Sequence, residues 1–205
     1  MWFGLPSNPL AFILLTLADA RFHGLTRFCV YQGQWSCAFR DFEREILPMC
    51  QSEGLALAPW GVLGRGQFRS SSEFNREGAR KIGGQDEKHR RVAEMLEQLA
   101  EKKNTLPTSI ALAYVMHKVP YVFPVIGGRK VEHIQGNIEA LSVDLSDEEV
   151  QQIDNGEEFD VGFPMNFLFE TPDQHYRTDM TSRHIWQLTC NTRLETVPKP
   201  RVSAP

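Results

Sequence analysis

Leu57-Ala58-Pro59-Trp60-Gly61-Val62-Leu63-Gly64-Arg65-Gly66 decides the reading of this chain, together with Pro124-Val125-Ile126-Gly127-Gly128-Arg129-Lys130 downstream. Each is an apolar, strand-like run that breaks into glycines beside a cation. Glycine has no Cβ, so a strand end of this kind lets the backbone N–H groups approach an anion closely. Two such ends suggest two loops closing on one anionic ligand. Taken singly, glycines after a strand are more often plain turns.

Working outward, strand-like and helix-like stretches alternate in the rhythm of a parallel sheet or barrel. Trp2 to Leu5 reads as a short strand. Asn8 caps a helix that Gly24 ends. Arg27 to Tyr31 is a second strand. Asp41 caps a helix with Phe42, Ile46, Met49 and Cys50 on one face, bent at Pro48 and closed by Gly54. Leu55 to Trp60 is a third strand. Polar residues 69–85 form a long loop. Asp86 to Lys103 follows as an amphipathic helix with Val92, Leu96 and Leu99 on one face. Thr108 to Lys118, after Pro107, is apolar nearly all round and reads as a buried helix. Tyr121 to Ile126 is the last strand. Lys130 to Leu141 is a helix with Val131, Ile134, Ile138 and Leu141 expected to face inward. Ser146-Asp147-Glu148-Glu149 is a capping box that opens a short final helix. Beyond Glu157 the pattern dissolves.

The totals exclude several classes. The chain has 205 residues and a net charge of −4, which argues against a nucleic-acid partner. Cys29, Cys37, Cys50 and Cys190 show no metal-ligand or disulfide spacing and read as small buried hydrophobes in a reducing, cytoplasmic setting. No zinc or other metal set is recognisable. The run Pro9 to Ala20 mimics a signal-peptide core, but no Lys or Arg precedes it, and it is too short to span a membrane.

Four motifs, in order, carry a resemblance: Phe28-Cys29-Val30-Tyr31-Gln32-Gly33-Gln34-Trp35-Ser36, Arg40-Asp41-Phe42-Glu43-Arg44, Ala58-Pro59-Trp60-Gly61-Val62-Leu63-Gly64 and Phe123-Pro124-Val125-Ile126-Gly127-Gly128-Arg129-Lys130. Together they resemble the aldo-keto reductase superfamily, in its fungal aryl-alcohol dehydrogenase and norsolorinic acid reductase-like branch. The resemblance runs from about Trp2 to Phe169. It implies an α/β fold, a partial (β/α)8 TIM barrel comprising strands five to eight, over residues 1–169, with an irregular and disordered tail over 170–205. A complete barrel usually needs about 250 residues.

The resemblance also implies roles. Trp60 stacks on a nicotinamide ring, and Gln32 hydrogen-bonds its carboxamide. Gly61, Val62, Leu63, Gly64, Arg65 and Gly66 wrap the pyrophosphate. Gly128, Arg129 and Lys130 read the 2′-phosphate that distinguishes NADP from NAD. His133 and Asn137 approach the adenine, although Gly136 replaces the Glu usual before Asn137. Trp35 and Phe39 line a substrate mouth. The family's catalytic Asp, Tyr, Lys and His belong to the first half of its barrel, and no residue here matches them, so no catalytic residue is assigned. The expected activity is NADP-dependent reduction of aryl aldehydes or ketones, in fungal secondary metabolism, by a chain lacking the catalytic set. A non-catalytic remnant that binds nucleotide or a protein partner is the main alternative. A small secreted protein is the other.

Overall fold

The computed structural model describes residues 4–6, 10–68, 87–157, 159–160 and 162. The expected loop over 69–85 and the expected tail over 170–205 lie outside these residues, as does the Asn8 cap.

Strand β1 (Gly4–Pro6), β2 (Val30–Gln32) and β3 (Ala56–Leu57) form one parallel sheet in that order. Tyr31 pairs with both Leu5 and Leu57. Past β3 the pairing continues through parallel bridges from Leu57 to Val122 and from Trp60 to Val125. The amides of Phe123 and Val125 donate to Leu57 O and Pro59 O, both at 2.7 Å. Four consecutive parallel strand segments thus lie side by side, each separated from the next by helix, as right-handed βα units require.

Among the described residues, six α-helices accompany the sheet: α1 (Leu10–Phe22), α2 (Ile46–Glu53), α3 (Glu87–Lys103), α4 (Pro107–Lys118), α5 (Val131–Glu139) and α6 (Asp147–Asn155). Pro107 occupies the first turn of α4, where its missing N–H has no partner to lose. Gly54 ends α2 in the left-handed region at φ 67°. The capping box of α6 is complete: Glu149 N donates to Ser146 Oγ and Ser146 N to Glu149 Oε2. Helix α4 is buried as its composition implies, with Ile110, Ala111, Ala113, Tyr114 and Val115 fully enclosed.

Three expectations fail. Asp41 caps no α-helix. It opens a separate 3-10 turn over Asp41–Glu43, its carboxylate paired with Arg44, and α2 starts only at Ile46. Pro48 therefore sits in the first turn of α2, where it is tolerated. Cys29 is exposed, while Cys37 and Cys50 are buried. Most consequentially, Val131, Ile134, Ile138 and Leu141 are all more than half exposed. Helix α5 instead packs through Gly136 and Asn137, followed by Ala140. Gly136 belongs there because a Cβ would lie 3.1 Å from Leu106, and Ser109 Oγ donates to its carbonyl at 3.3 Å. Periodicity identifies the apolar stripe of a helix, not what covers it.

Strand alternation divides the sheet into two faces. Tyr31, Leu55 and Leu57 point toward the helices and are buried. Gln32, Trp60, Phe123 and Val125 point to the other face, and Phe123 is 57% exposed. Helix α1, whose run mimicked a signal peptide, belongs to the same core, with Ile13 and Leu17 fully buried in it. No helix among the described residues is long and apolar enough to cross a membrane.

Buried titratable groups set a pH window for the fold. Burial pushes the Glu43 carboxyl up, but Lys118 and Arg40 outweigh it and hold the group below its ordinary value of 4.5. That stabilisation is complete above about pH 4.5 and is lost as pH falls through the lowered folded value. Burial drives the Cys37 and Cys50 thiols from 9.0 up to about 12. Their contribution is present below pH 9 and is lost as pH rises from 9 toward 12, because only the unfolded chain ionises there. Urea melts across pH are expected to show a plateau between these limits. A midpoint still rising above pH 9 would contradict the assignment of the thiols.

Candidate functional site

The C-terminal ends of β2, β3 and the 122–125 segment finish at one level. Gln34, Trp60 and Val125 are linked there by parallel bridges. Trp60 N donates to Gly33 O at 2.9 Å, and Trp35 N to Trp60 O at 3.2 Å. Both glycine-rich loops leave from this edge, where parallel α/β sheets and barrels carry their sites.

The first loop turns through left-handed conformations at Gly61 (φ 74°), Gly64 (61°), Arg65 (52°) and Gly66 (84°). Its turns are closed internally: Gly64 N donates to Gly61 O, Gly66 N to Leu63 O and Gln67 N to Gly64 O. The N–H groups of Gly64 and Gly66 are therefore spent within the loop. Those of Val62 and Leu63 take no part in these turns. Gly64 is also fixed by packing, since a Cβ would come within 2.8 Å of the buried Phe68 ring. Gly64→Ala is expected to lose about 1–2 kcal/mol from the left-handed backbone, with the ring contact adding to it. A thermal melt matching the unmutated chain would show that the loop tolerates a side chain there.

Trp60 is half-buried, and the Arg65 guanidinium lies 5.1 Å from its ring centroid. Arg65 Nη2 also donates to Gln34 Oε1 at 3.1 Å. Gln32 is exposed at the end of β2. Gln34 was not among the residues expected from the sequence. The signal was present, because residues two apart on a strand share a face, which sets Gln34 beside Gln32.

The second loop presents Gly128, Arg129 and Lys130 to solvent immediately before α5. Lys130 is extended, and no side chain caps the helix. Neither Arg129 nor Lys130 forms an ion pair with a described residue. Gly128 abuts His133, where a Cβ would lie 2.8 Å from the histidine Cβ. His133 is exposed. Asn137 is buried and lines a small apolar groove with Leu112, Met116, Pro124, Ile126, Ile134, Ile138 and Leu141.

Trp35 does not line a mouth. It is fully buried, stacked on Phe42 at 5.5 Å, and its Nε1 donates to Glu43 Oε1 at 3.0 Å. Phe39 remains partly exposed. Glu43 is the hub of a charge cluster that motif reading passed over. Arg40 donates to it at 2.9 and 3.1 Å, and Lys118 lies 3.3 Å away. Asp154 joins from α6, paired with Lys118 and lying 3.2 Å from Arg40. Tyr114 Oη donates to Asp154 Oδ1 at 2.6 Å. Burial, then Glu43 and Asp154, push the Tyr114 hydroxyl well above its ordinary range, so it stays a donor. Two cations balance two carboxylates, which makes the cluster a clasp between the 35–44 loop, α4 and α6.

Known proteins match this chain over the same region. The family model described as the aldo/keto reductase family matches residues 14–158. A norsolorinic acid reductase of Aspergillus flavus is 67% identical over 205 residues, covering 100% of this chain and 53% of the relative. The norsolorinic acid reductase stcV of Emericella nidulans is 64% identical over 91% of this chain and 48% of its own length. A probable aryl-alcohol dehydrogenase of Saccharomyces cerevisiae is 41% identical over 84% of this chain and 55% of the relative. The chain thus spans about half the length of the curated relatives it matches. A crystallised thermostable aldo-keto reductase, bound to the inhibitor epalrestat, superposes with a TM-score of 0.56 at 22% identity, covering 76% of this chain and 48% of that one. That likeness is one of fold, and with the family match it leads to one conclusion: the chain belongs to the aldo/keto reductase family.

Proposed function

We propose that this chain is the cofactor half of an NADP-dependent carbonyl reductase acting on aromatic aldehydes or ketones. The observation that carries the reading is the alignment of three strand ends, which puts Gln32, Gln34 and Trp60 on one sheet face below two glycine-rich loops. Trp60 offers a flat, rigid surface suited to the nicotinamide ring. Amides such as Gln32 and Gln34 can both donate to and accept from a carboxamide. Val62 and Leu63 N–H groups and the Arg65 guanidinium suit a pyrophosphate. Arg129 and Lys130, unpaired among the described residues at the start of a helix, suit a 2′-phosphate. His133 is free to approach an adenine. Asn137 is nearly enclosed at the edge of a small apolar groove and offers an adenine little surface. When bound, the cofactor supplies the hydride, and this chain's residues orient it. The exposed ring of Phe123, on the same sheet face as Trp60 and Val125, suits a planar aromatic substrate.

Hydride delivery to a carbonyl also needs a proton donor, and proton transfer of this kind typically contributes about 10²–10⁴-fold. The chain holds Tyr31, Tyr114, Tyr121 and Tyr176. Tyr31 and Tyr114 are buried in the core. Tyr121 is exposed but sits at the start of its strand segment, away from the Trp60–Val125 end. Tyr176 lies outside the described residues, and none of the four matches the family's catalytic position. We therefore assign binding without turnover to the 205-residue chain. NADPH and NADH titrations followed by tryptophan fluorescence, with a parallel assay on an aryl aldehyde, test both halves of the proposal. Saturable NADPH binding without turnover is the expected result. Equal affinity for the two cofactors removes the 2′-phosphate assignment, and saturable turnover by the pure chain removes the claim that it lacks a proton donor.

A further inference from the structure

We propose, resting on the cofactor reading above, that Glu43 is a positioning residue for the nicotinamide surface, holding Gln34 and Trp60 in place through the indole of Trp35. Strand β2 ends at Gln32 and β3 at Leu57, so Gln34 and Trp60 lie beyond the regular ladder. An isolated parallel bridge pairs them. Two backbone bonds make that bridge: Trp60 N donates to Gly33 O at 2.9 Å, and Trp35 N to Trp60 O at 3.2 Å. The residues that supply those groups, Gly33 and Trp35, flank Gln34 on either side.

Both are gripped by the 3-10 turn over Asp41–Glu43. Phe42 lies against Gly33, where a Cβ would come within 2.7 Å of its ring. Phe42 also stacks on Trp35, with 14° between the ring planes. Glu43 Oε1 accepts from Trp35 Nε1 at 3.0 Å. The chain between is folded back on itself, since Ser36 N donates to Phe39 O and Phe39 N to Ser36 O. Glu43 is itself held still. Arg40 donates to both of its oxygens, Lys118 lies 3.3 Å from Oε2, and Tyr114 Oη lies 3.3 Å from Oε1. Charge-assisted bonds of this kind are short and directional. Trp35 is fully buried, so its Nε1–H has no water to turn to and Glu43 fixes the indole. Support thus runs from the buried helix α4 to Glu43, from there to Trp35, and from the Trp35 amide to Trp60. A ligand contact is precise when the groups behind it are locked in this way.

Trp35→Phe in the full 205-residue chain tests the proposal. Phenylalanine keeps a ring against Phe42, removes the indole N–H, and leaves Glu43 paired with Arg40 and Lys118. Calorimetric titrations with NADPH, NADH and 2′,5′-ADP, which has no nicotinamide, give the readout. NADPH and NADH are expected to weaken by the same factor, about 10-fold, the worth of one hydrogen bond. Binding of 2′,5′-ADP should not change, and the ratio of NADPH to NADH affinity should be kept. Hydrogen exchange adds a readout that needs no cofactor: the Trp60 amide exchanges faster in the variant, while the Val125 amide, bonded to Pro59 O, keeps its rate. A purely structural bond between Glu43 and Trp35 would lower the melting point and leave all three affinities as they were, which overturns the proposal. Equal weakening of 2′,5′-ADP overturns it too, because the effect is then not at the nicotinamide end. So does an unchanged Trp60 amide. An unmutated chain that binds neither NADPH nor NADH removes the cofactor reading and the role of Glu43 with it, whereas binding that the variant matches removes the role of Glu43 alone.

Discussion

Glu43→Ala is expected to cost about 3–5 kcal/mol of folding stability, the penalty for leaving a buried charge uncompensated. The Glu43, Arg40 and Lys118 side chains are at most 10% exposed, so solvent does little to screen them. Removing the carboxylate leaves Arg40 and Lys118 facing Asp154 alone. Trp35 Nε1 also loses its acceptor in a fully buried site. For a chain of this size each kcal/mol shifts the melting point by about 2–4 °C, so a fall on the order of 10 °C should follow. Whole domains are stable by only about 5–15 kcal/mol, so this single change removes a large share. Glu43→Gln gives an intermediate comparison, because it keeps one acceptor oxygen but places an amide NH2 where the other oxygen accepts from Arg40. A loss below about 1 kcal/mol for the alanine variant in urea titration would mean that the cluster is better hydrated than its burial indicates.

Arg129→Ala is expected to abolish a preference for NADPH over NADH of about 10- to 150-fold. The range follows from hydrogen bonds to charged groups, worth roughly 1.5–3 kcal/mol, at 1.4 kcal/mol per decade of affinity. Arg129 is exposed and forms no ion pair with a described residue, so its removal should not disturb the fold. NADH lacks the 2′-phosphate, and its affinity should be nearly unchanged. A guanidinium can grip a phosphate with two parallel bonds, which an ammonium cannot, so Arg129→Lys should retain only part of the preference. If Arg129→Ala weakens both cofactors equally, the residue contributes general charge and does not read the 2′-phosphate.

Local features of the fold were legible because they are written in neighbouring residues. The capping box at Ser146 and Glu149, the left-handed Gly54 and the Pro107 helix start each depend on a handful of adjacent positions. Trp35 was misplaced because a tryptophan beside a strand end suits a site mouth and a core equally. What decided its place was Glu43, eight residues on, whose own position depends on Lys118 and Asp154. No local pattern links those charges. The stripe of α5 was identified correctly as apolar, but its covering was not, since burial depends on what lies across the sheet edge. Gln34 was within reach of simple strand alternation. The aldo/keto reductase resemblance was legible because its motifs are short and contiguous, and the family match covers the same region.

The clasp around Glu43 also bears on the order of events during folding. Tyr114 reaches Glu43 across 71 residues of chain, and Arg40 reaches the Asp154 carbonyl across 114. Contacts this distant in sequence carry a large loop-closure entropy, so they form after local helices and adjacent strand pairs have done most of the collapse. Interactions absent from the transition state govern how fast a protein comes apart and hardly affect how fast it assembles. The cluster is thus a late-setting latch. In a chevron plot the Glu43→Ala loss should fall on the unfolding limb, with the refolding rate nearly untouched.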